Sequence, residues 1–216
     1  KQESLMRLLR YLLVLPLTLS LTLNAHADAD KKLTLKDVQG KVQSLAKSVS
    51  KTIDSLKKSN AASKDLKGQV KKLGETIKVF ESQLAQIEKG GEIYKLIIEA
   101  QEGISGNIKM FESKISSGAL SVGVQKKFEG LIERQQKLIN NYGNLMVEMS
   151  ERSIRLRGKI KELSSNKELV SATLLVNEQE EAFKQLQACL SIFDDIEKDI
   201  DELNGSAQKI STATPE

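Results

Sequence analysis

The chain of 216 residues carries 33 basic and 29 acidic side chains, 39% hydrophobic residues, eight aromatics with no Trp, 13 glycines and 2 prolines. So few turn-forming residues exclude a sandwich or barrel, whose strands must reverse about every 8 to 12 residues, and leave the composition of long helices. A near-balanced charge gives no bulk electrostatic attraction to nucleic acid, and no nucleic-acid partner is expected.

The N-terminal stretch reads as a secretory leader. Met6 is expected to start it, with Lys1 to Leu5 lying upstream; Arg7 and Arg10 form a basic n-region, Leu12 to Leu23 is largely apolar, and Ala25-His26-Ala27 is a small-x-small site for signal peptidase. Cleavage is expected before Asp28, with Ala25 and Ala27 as the recognised pair. Residues 1–27 are therefore assigned as upstream residues plus a cleavable signal peptide. The apolar run of about 12 residues falls short of the roughly 20 that span a bilayer, and no Cys follows the site as an acylation point. The expected product is periplasmic or secreted, with no transmembrane segment after signal removal.

Removing the leader removes His26, the only histidine. A Ser-His-Asp or Cys-His nucleophile system, a His-ligated metal and a switch near neutral pH all need that imidazole. No Gly-rich phosphate loop, calcium loop or Glu-x-x-His pattern occurs either. The sequence therefore predicts a non-enzyme with no cofactor and no metal. Cys189 is the single cysteine, so it forms no intramolecular disulfide; beside Leu186 and Leu190 it reads as a small buried hydrophobe, the alternative being a bridge to a second chain.

From Leu35 the apolar residues step by three and four: Leu35, Val38, Val42, Leu45, Val49, Thr52, Leu56, Ser59, Ser63, Leu66, Val70, Leu73, Ile77, Phe80, Leu84, Ile87. A repeat sustained this long predicts a coiled-coil helix over about 34–89, the longest of the molecule and roughly 80 Å if continuous. Its polar members Thr52, Ser59 and Ser63, with Asn60 beside them, mark a soft segment where a kink could sit. Gly90-Gly91 ends it. A second helix over about 92–116 has the seam Tyr94, Ile97, Gln101, Ile104, Ile108, Phe111, Ile115, weakened by Gly103 and Gly106.

A third helix, about 123–164, runs Val124, Phe128, Leu131, Gln135, Leu138, Tyr142, Leu145, Met149, then slips by four to Ser153, Leu156, Ile160 and Leu163. Two fours in succession form a stutter. Ser164, Ser165 and Asn166 offer N-caps for a fourth helix, about 167–204, with Leu169, Thr173, Val176, Phe183, Leu186, Leu190, Phe193, Ile196, Ile200 and Leu203 inward. Residues 205–216 are expected to form a disordered tail. All seven aromatics after the leader fall on these seams and so are expected to be committed to packing. The fold class predicted is all-α: an elongated antiparallel helical bundle or coiled coil of about four helices over residues 28–204.

Charge is uneven. Residues 31–80 hold 13 lysines and four acids, whereas residues 81–216 hold 17 basic and 22 acidic groups, with an acidic run at Asp194, Asp195, Glu197, Asp199, Asp201 and Glu202. The basic first helix either packs against the acidic last one or offers lysines to anionic envelope material. On the second reading Lys64, Lys67, Lys71, Lys72 and Lys78 are the candidate anionic-surface contacts. A second basic cluster, Arg152, Arg155, Arg157, Lys159 and Lys161, covers more than one face and reads as solvation.

The function expected is that of an exported, non-catalytic coiled-coil scaffold, spacer or assembly component of the bacterial envelope. It would act through a protein partner or self-association of its helices, with weak contact to anionic envelope material. The alternatives are a helical subunit of a secretion or conjugation apparatus and a periplasmic holdase chaperone.

Overall fold

In the computed structural model the described residues are 35–62 and 65–212, with side chains described at 36–59 and 65–210. The leader, its cleavage site, Ser63 and Lys64 lie outside them. Among the described residues there are five helices and no strand: α1 (Leu35–Ala62), α2 (Leu66–Ile87), α3 (Glu92–Ser116), α4 (Val122–Leu175) and α5 (Gln179–Thr212). The protein is an all-α helical bundle.

Cross-helix contacts fix the direction of each neighbour. Gln83 donates from Nε2 to Ser48 Oγ at 2.8 Å and Lys72 bonds Ser59, so α1 and α2 are antiparallel. Gln39 Nε2 reaches the Ala207 carbonyl at 3.1 Å and Lys57 pairs with Asp194, so α1 and α5 are antiparallel too. Arg152 meets Asp199, and Thr173 donates to Gln185 Oε1 at 3.1 Å, which makes α4 and α5 a third antiparallel pair. Arg157 of α4 bonds Glu88 just past α2. Helices α1 and α4 each lie beside α2 and α5, and their backbones do not approach each other closely, so α1, α2, α4 and α5 form a four-cornered bundle in that cyclic order.

The centre of this bundle is mostly apolar. Val42, Ile53, Leu73, Ile87, Leu156, Leu163, Leu186, Phe193 and Leu203 are all essentially inaccessible to solvent, and Phe80 meets Phe193 across it with ring centroids 5.4 Å apart. Each such side chain contributes about 1.5–3 kcal/mol by leaving water, before the entropy of ordering it is subtracted. Cys189 is part of this core.

Several boundaries differ from the sequence reading. The expected first helix over 34–89 is two helices that fold back on each other, because the polar stretch from Ser59 to Ser63 has no apolar anchor to continue the seam. The longest helix is instead α4, with 54 residues. It does not stop at 164: Ser164 and Ser165 are interior residues whose hydroxyls donate back to the carbonyls of Ile160 and Lys161, both at 3.1 Å, rather than capping a new helix. The chain turns at Leu175–Glu178 instead, where Asn177 takes a left-handed backbone with φ 64°. A short polar side chain tolerates that conformation better than a branched one.

The last helix likewise does not end at 204. It continues to Thr212, with Ala207 and Ile210 buried, so the expected tail over 205–216 is helical through 212. Gly90, with φ 87°, and Gly91 do end α2 as expected.

Two seam assignments also shift. Ile53, not Thr52, is the buried residue between Val49 and Leu56, leaving Thr52 and Ser59 half-buried on the flank. In α5 the inward line runs through Ala182 and Cys189, which leaves Phe183 47% exposed, so the expectation that every aromatic is committed to packing fails there. Leu169 and Val176, also expected inward, are exposed.

Candidate interaction surfaces

Helix α3 packs along the N-terminal half of α4 as α2 packs along its C-terminal half. Gln101 donates from Nε2 to the Ile139 carbonyl at 3.2 Å, and the Phe111 and Phe128 rings stack 5.2 Å apart at 24°. Helix α1 meets α3 near the start of each, where Lys41 Nζ pairs with Glu92 Oε1 at 2.5 Å. At the other terminus of the bundle, Ser206 of α5 donates to Glu148 at 3.0 Å, and Lys209 and Ile210 lie beside Asn141 and Asn144.

Among the described residues, about 101 to 140 form a hairpin of two helices, about 24 Å long on its α3 side at 1.5 Å per residue. Its seam holds Ile108 and Phe111 as buried members, but no residue from 112 to 141 is buried. Phe128, Leu131, Ile132, Leu138 and Ile139 stay half-exposed, and Val122 and Val124 at the tip are exposed. The Lys114 ammonium lies 5.9 Å from the Phe128 ring centroid, within cation–π range, and covers part of that ring.

Further exposed apolar residues flank the turn between α4 and α5, where Leu175 is 82% and Val176 66% exposed and Phe183 follows in the first turns of α5. The sequence reading missed them because it placed a helix start at 164–166 and carried the inward pattern through the turn. The one available signal was Asn177, a residue suited to a left-handed helix end.

Of the five lysines expected to contact an anionic surface, Lys67, Lys71, Lys72 and Lys78 are exposed on α2, and Lys64 lies outside the described residues. Lys72 bonds Ser59. None of the four has a carboxylate within ion-pair distance among the described residues. They share one helix but not one local site. Lys57 on α1 does pair with Asp194, and that contact holds the ammonium above its usual pKa. Basic first helix and acidic last helix thus pack together, but their charges pair only here among the described residues.

Most of the acidic run is met by α4. Arg152 is buried at the stutter and holds Glu148 at 2.7 Å, Glu202 at 2.9 Å, and both the carboxylate and the backbone carbonyl of Asp199 at 3.2 and 3.1 Å. Arg155 and Lys159 reach the same Asp199 at 3.4 and 3.1 Å. Burial opposes the Arg152 charge, but the hydrogen bonds it donates to Glu202 and Glu148 outweigh it and hold the guanidinium above its ordinary pKa. The cluster read as solvation is therefore partly structural: the two successive fours put residue 152 on the inward side beside Ser153, and a buried cation there fixes where α5 sits along α4.

Among the described residues no helix is long and apolar enough to cross a membrane, and no group of three His, Cys, Asp or Glu side chains is gathered as metal ligands would be. No protein-family model, curated protein or solved structure matches this chain.

Proposed function

We infer that the protein is an exported, non-catalytic scaffold or assembly component of the envelope, engaging a helical protein partner through the α3–α4 hairpin and anionic envelope material through the lysines of α2. The observation that carries this reading is the hairpin. Among the described residues its heptad seam is shared by two helices, and Leu131, Ile132, Leu138 and Ile139 remain half-exposed. Two-stranded seams of this kind are completed when further helices cover them. The charged residues support a structural part for the rest: Arg152, Arg155, Lys159, Asp199 and Glu202 neutralise one another. The core is filled by the chain's own side chains, which favours a scaffold over a holdase that must leave an apolar clamp open. Export rests on the leader and its Ala25-His26-Ala27 site.

The test places a photo-crosslinking amino acid at exposed Val124 and, separately, at exposed Glu151 on the bundle, in the native host. An adduct of one discrete mass, formed from Val124 and not from Glu151 and found in the exported fraction with an N-terminus at Asp28, is the expected result. Absence of any adduct from Val124, or an unprocessed chain retained in the cytoplasm, contradicts it.

A further inference from the structure

Along the outer junction of α1 and α2 lies a groove, lined on α1 by Lys51, Thr52, Ser55 and Ser59 and on α2 by Lys72 and Thr76. Ser48, the first α1 residue on its wall, and Ser59, the last, are separated by about 16 Å of helix at 1.5 Å per residue. Such a length suits an extended chain better than a single small ion. Three of its hydroxyls are already used: Ser48 accepts from Gln83 at 2.8 Å, Thr52 donates to the Ser48 carbonyl at 2.8 Å, and Ser59 accepts from Lys72. Thr76 is different. It is only 8% exposed, yet its hydroxyl has no hydrogen-bond partner among the described residues, and the groove is the side from which it is lined. That hydroxyl is not among the side-chain atoms shut off from solvent without a partner, so it is reached from the groove and is free to bond a ligand lying there.

The chemistry of the lining selects the ligand. Lys51 carries no ion pair among the described residues, and the exposed Lys47 and Lys58 on α1 and Lys67, Lys71 and Lys78 on α2 extend the positive field on either side. An anionic chain is therefore attracted. No aromatic side chain lines the groove, so bases find nothing to stack on, which disfavours a nucleic acid. Glu75 also lines it and would repel a polymer that presents only phosphates, but its carboxylate accepts hydrogen bonds from a chain with hydroxyls between its acidic groups. A flat membrane surface can meet the outer lysines but does not enter a recess to reach Thr76.

We propose that the α1–α2 groove binds an acidic polysaccharide. Lys51 and Lys72 receive its carboxylates, and Ser55, Thr76 and Glu75 exchange hydrogen bonds with its hydroxyls. This deepens the anionic-envelope part of the function inferred above and rests on it, but it assigns the contact to a groove and to residues that the charge pattern alone does not single out.

The test titrates the full chain with oligogalacturonate at low ionic strength by isothermal calorimetry, alongside uncharged dextran and phosphatidylglycerol vesicles. Oligogalacturonate is expected to bind and dextran not to. The double variant Lys51→Gln with Lys72→Gln should weaken oligogalacturonate about tenfold, as loss of charge-assisted hydrogen bonds does. Thr76→Val and Ser55→Ala should each weaken it several-fold, with vesicle binding unchanged; Ser55 is exposed, so its replacement does not disturb the core. The Lys67→Gln, Lys71→Gln, Lys78→Gln triple variant should weaken saccharide and vesicles alike. Oligogalacturonate binding that follows the outer lysines and ignores Thr76→Val and Ser55→Ala overturns the groove while leaving the anionic-surface reading intact. No binding of either anion overturns both.

Discussion

At the scale of single residues, burial sets the chemistry of the few groups that could react. It pushes the Cys189 thiol up from 9.0 to about 11 and the Tyr142 phenol up from 10.0 to about 12. The unfolded chain ionises both groups first, so between the two values the folded state holds protons that the unfolded state has released, and stability falls as pH rises. Below about pH 9 the Cys189 contribution is present in full, and it is lost toward about pH 11. Urea unfolding should therefore show a midpoint that drops between these pH values in the native protein and drops less in Cys189→Ala, whose Tyr142 contribution remains. The same burial makes Cys189 unreactive to iodoacetamide until denaturant is added.

Arg152 is a second case in which environment decides the effect. Replacing it by Ala leaves Asp199 and Glu148 short of a partner at a mostly buried site, and the expected loss is about 3 kcal/mol in a denaturant titration. Replacing Glu133, whose pairing with Lys137 is exposed on α4, by Gln should leave the midpoint of the same titration unchanged. Leu73 is 1% exposed, so Leu73→Asp adds a buried charge to lost packing and should cost several kcal/mol, on the order of the largest single-residue effects.

At the scale of elements, turns separate what was legible in the sequence from what was not. The inward residues of α2, Leu73, Ile77, Phe80, Leu84 and Ile87, were legible because an unbroken three-four spacing admits one face only. The same holds for Tyr142 to Leu163 in α4 and Leu186 to Leu203 in α5. The ends were harder. Ser164-Ser165-Asn166 has the composition of a cap, but a hydroxyl can donate back to its own helix as readily as it can cap a new one, and tertiary packing of Val170 and Thr173 carries α4 past it. Of the candidate surfaces, the lysines of α2 were readable as charge, whereas the hairpin and the groove depend on which helices lie side by side, and spacing along the chain does not encode that.

Glycines give the element-scale prediction. A Cβ on Gly91 would sit 2.2 Å from the Ala85 carbonyl oxygen, so Gly91→Ala must displace the α2–α3 turn and should destabilise by more than about 1 kcal/mol. Gly106 and Gly130 have open space at that position within helices, and Ala at either should stabilise the hairpin by about 0.5–1 kcal/mol. Thermal melts of the three variants separate the two behaviours.

At the scale of the whole described unit, four helices close a core around one another and the fifth, α3, leaves that core to run with α4 alone. Stability should follow this division, since local opening is cheapest where buried apolar contacts are fewest. The functional account depends on it: a hairpin already covered by the chain's own bundle would have no seam to offer a partner. The most direct measurement is native-state hydrogen exchange followed peptide by peptide. Amides of α1, α2, α5 and the 142–173 part of α4 should exchange only with global unfolding, while those of 104–116 and 124–139 should open locally and exchange orders of magnitude faster, then slow when the hairpin is covered by its partner. Uniform protection across all five helices in the free protein would contradict the account.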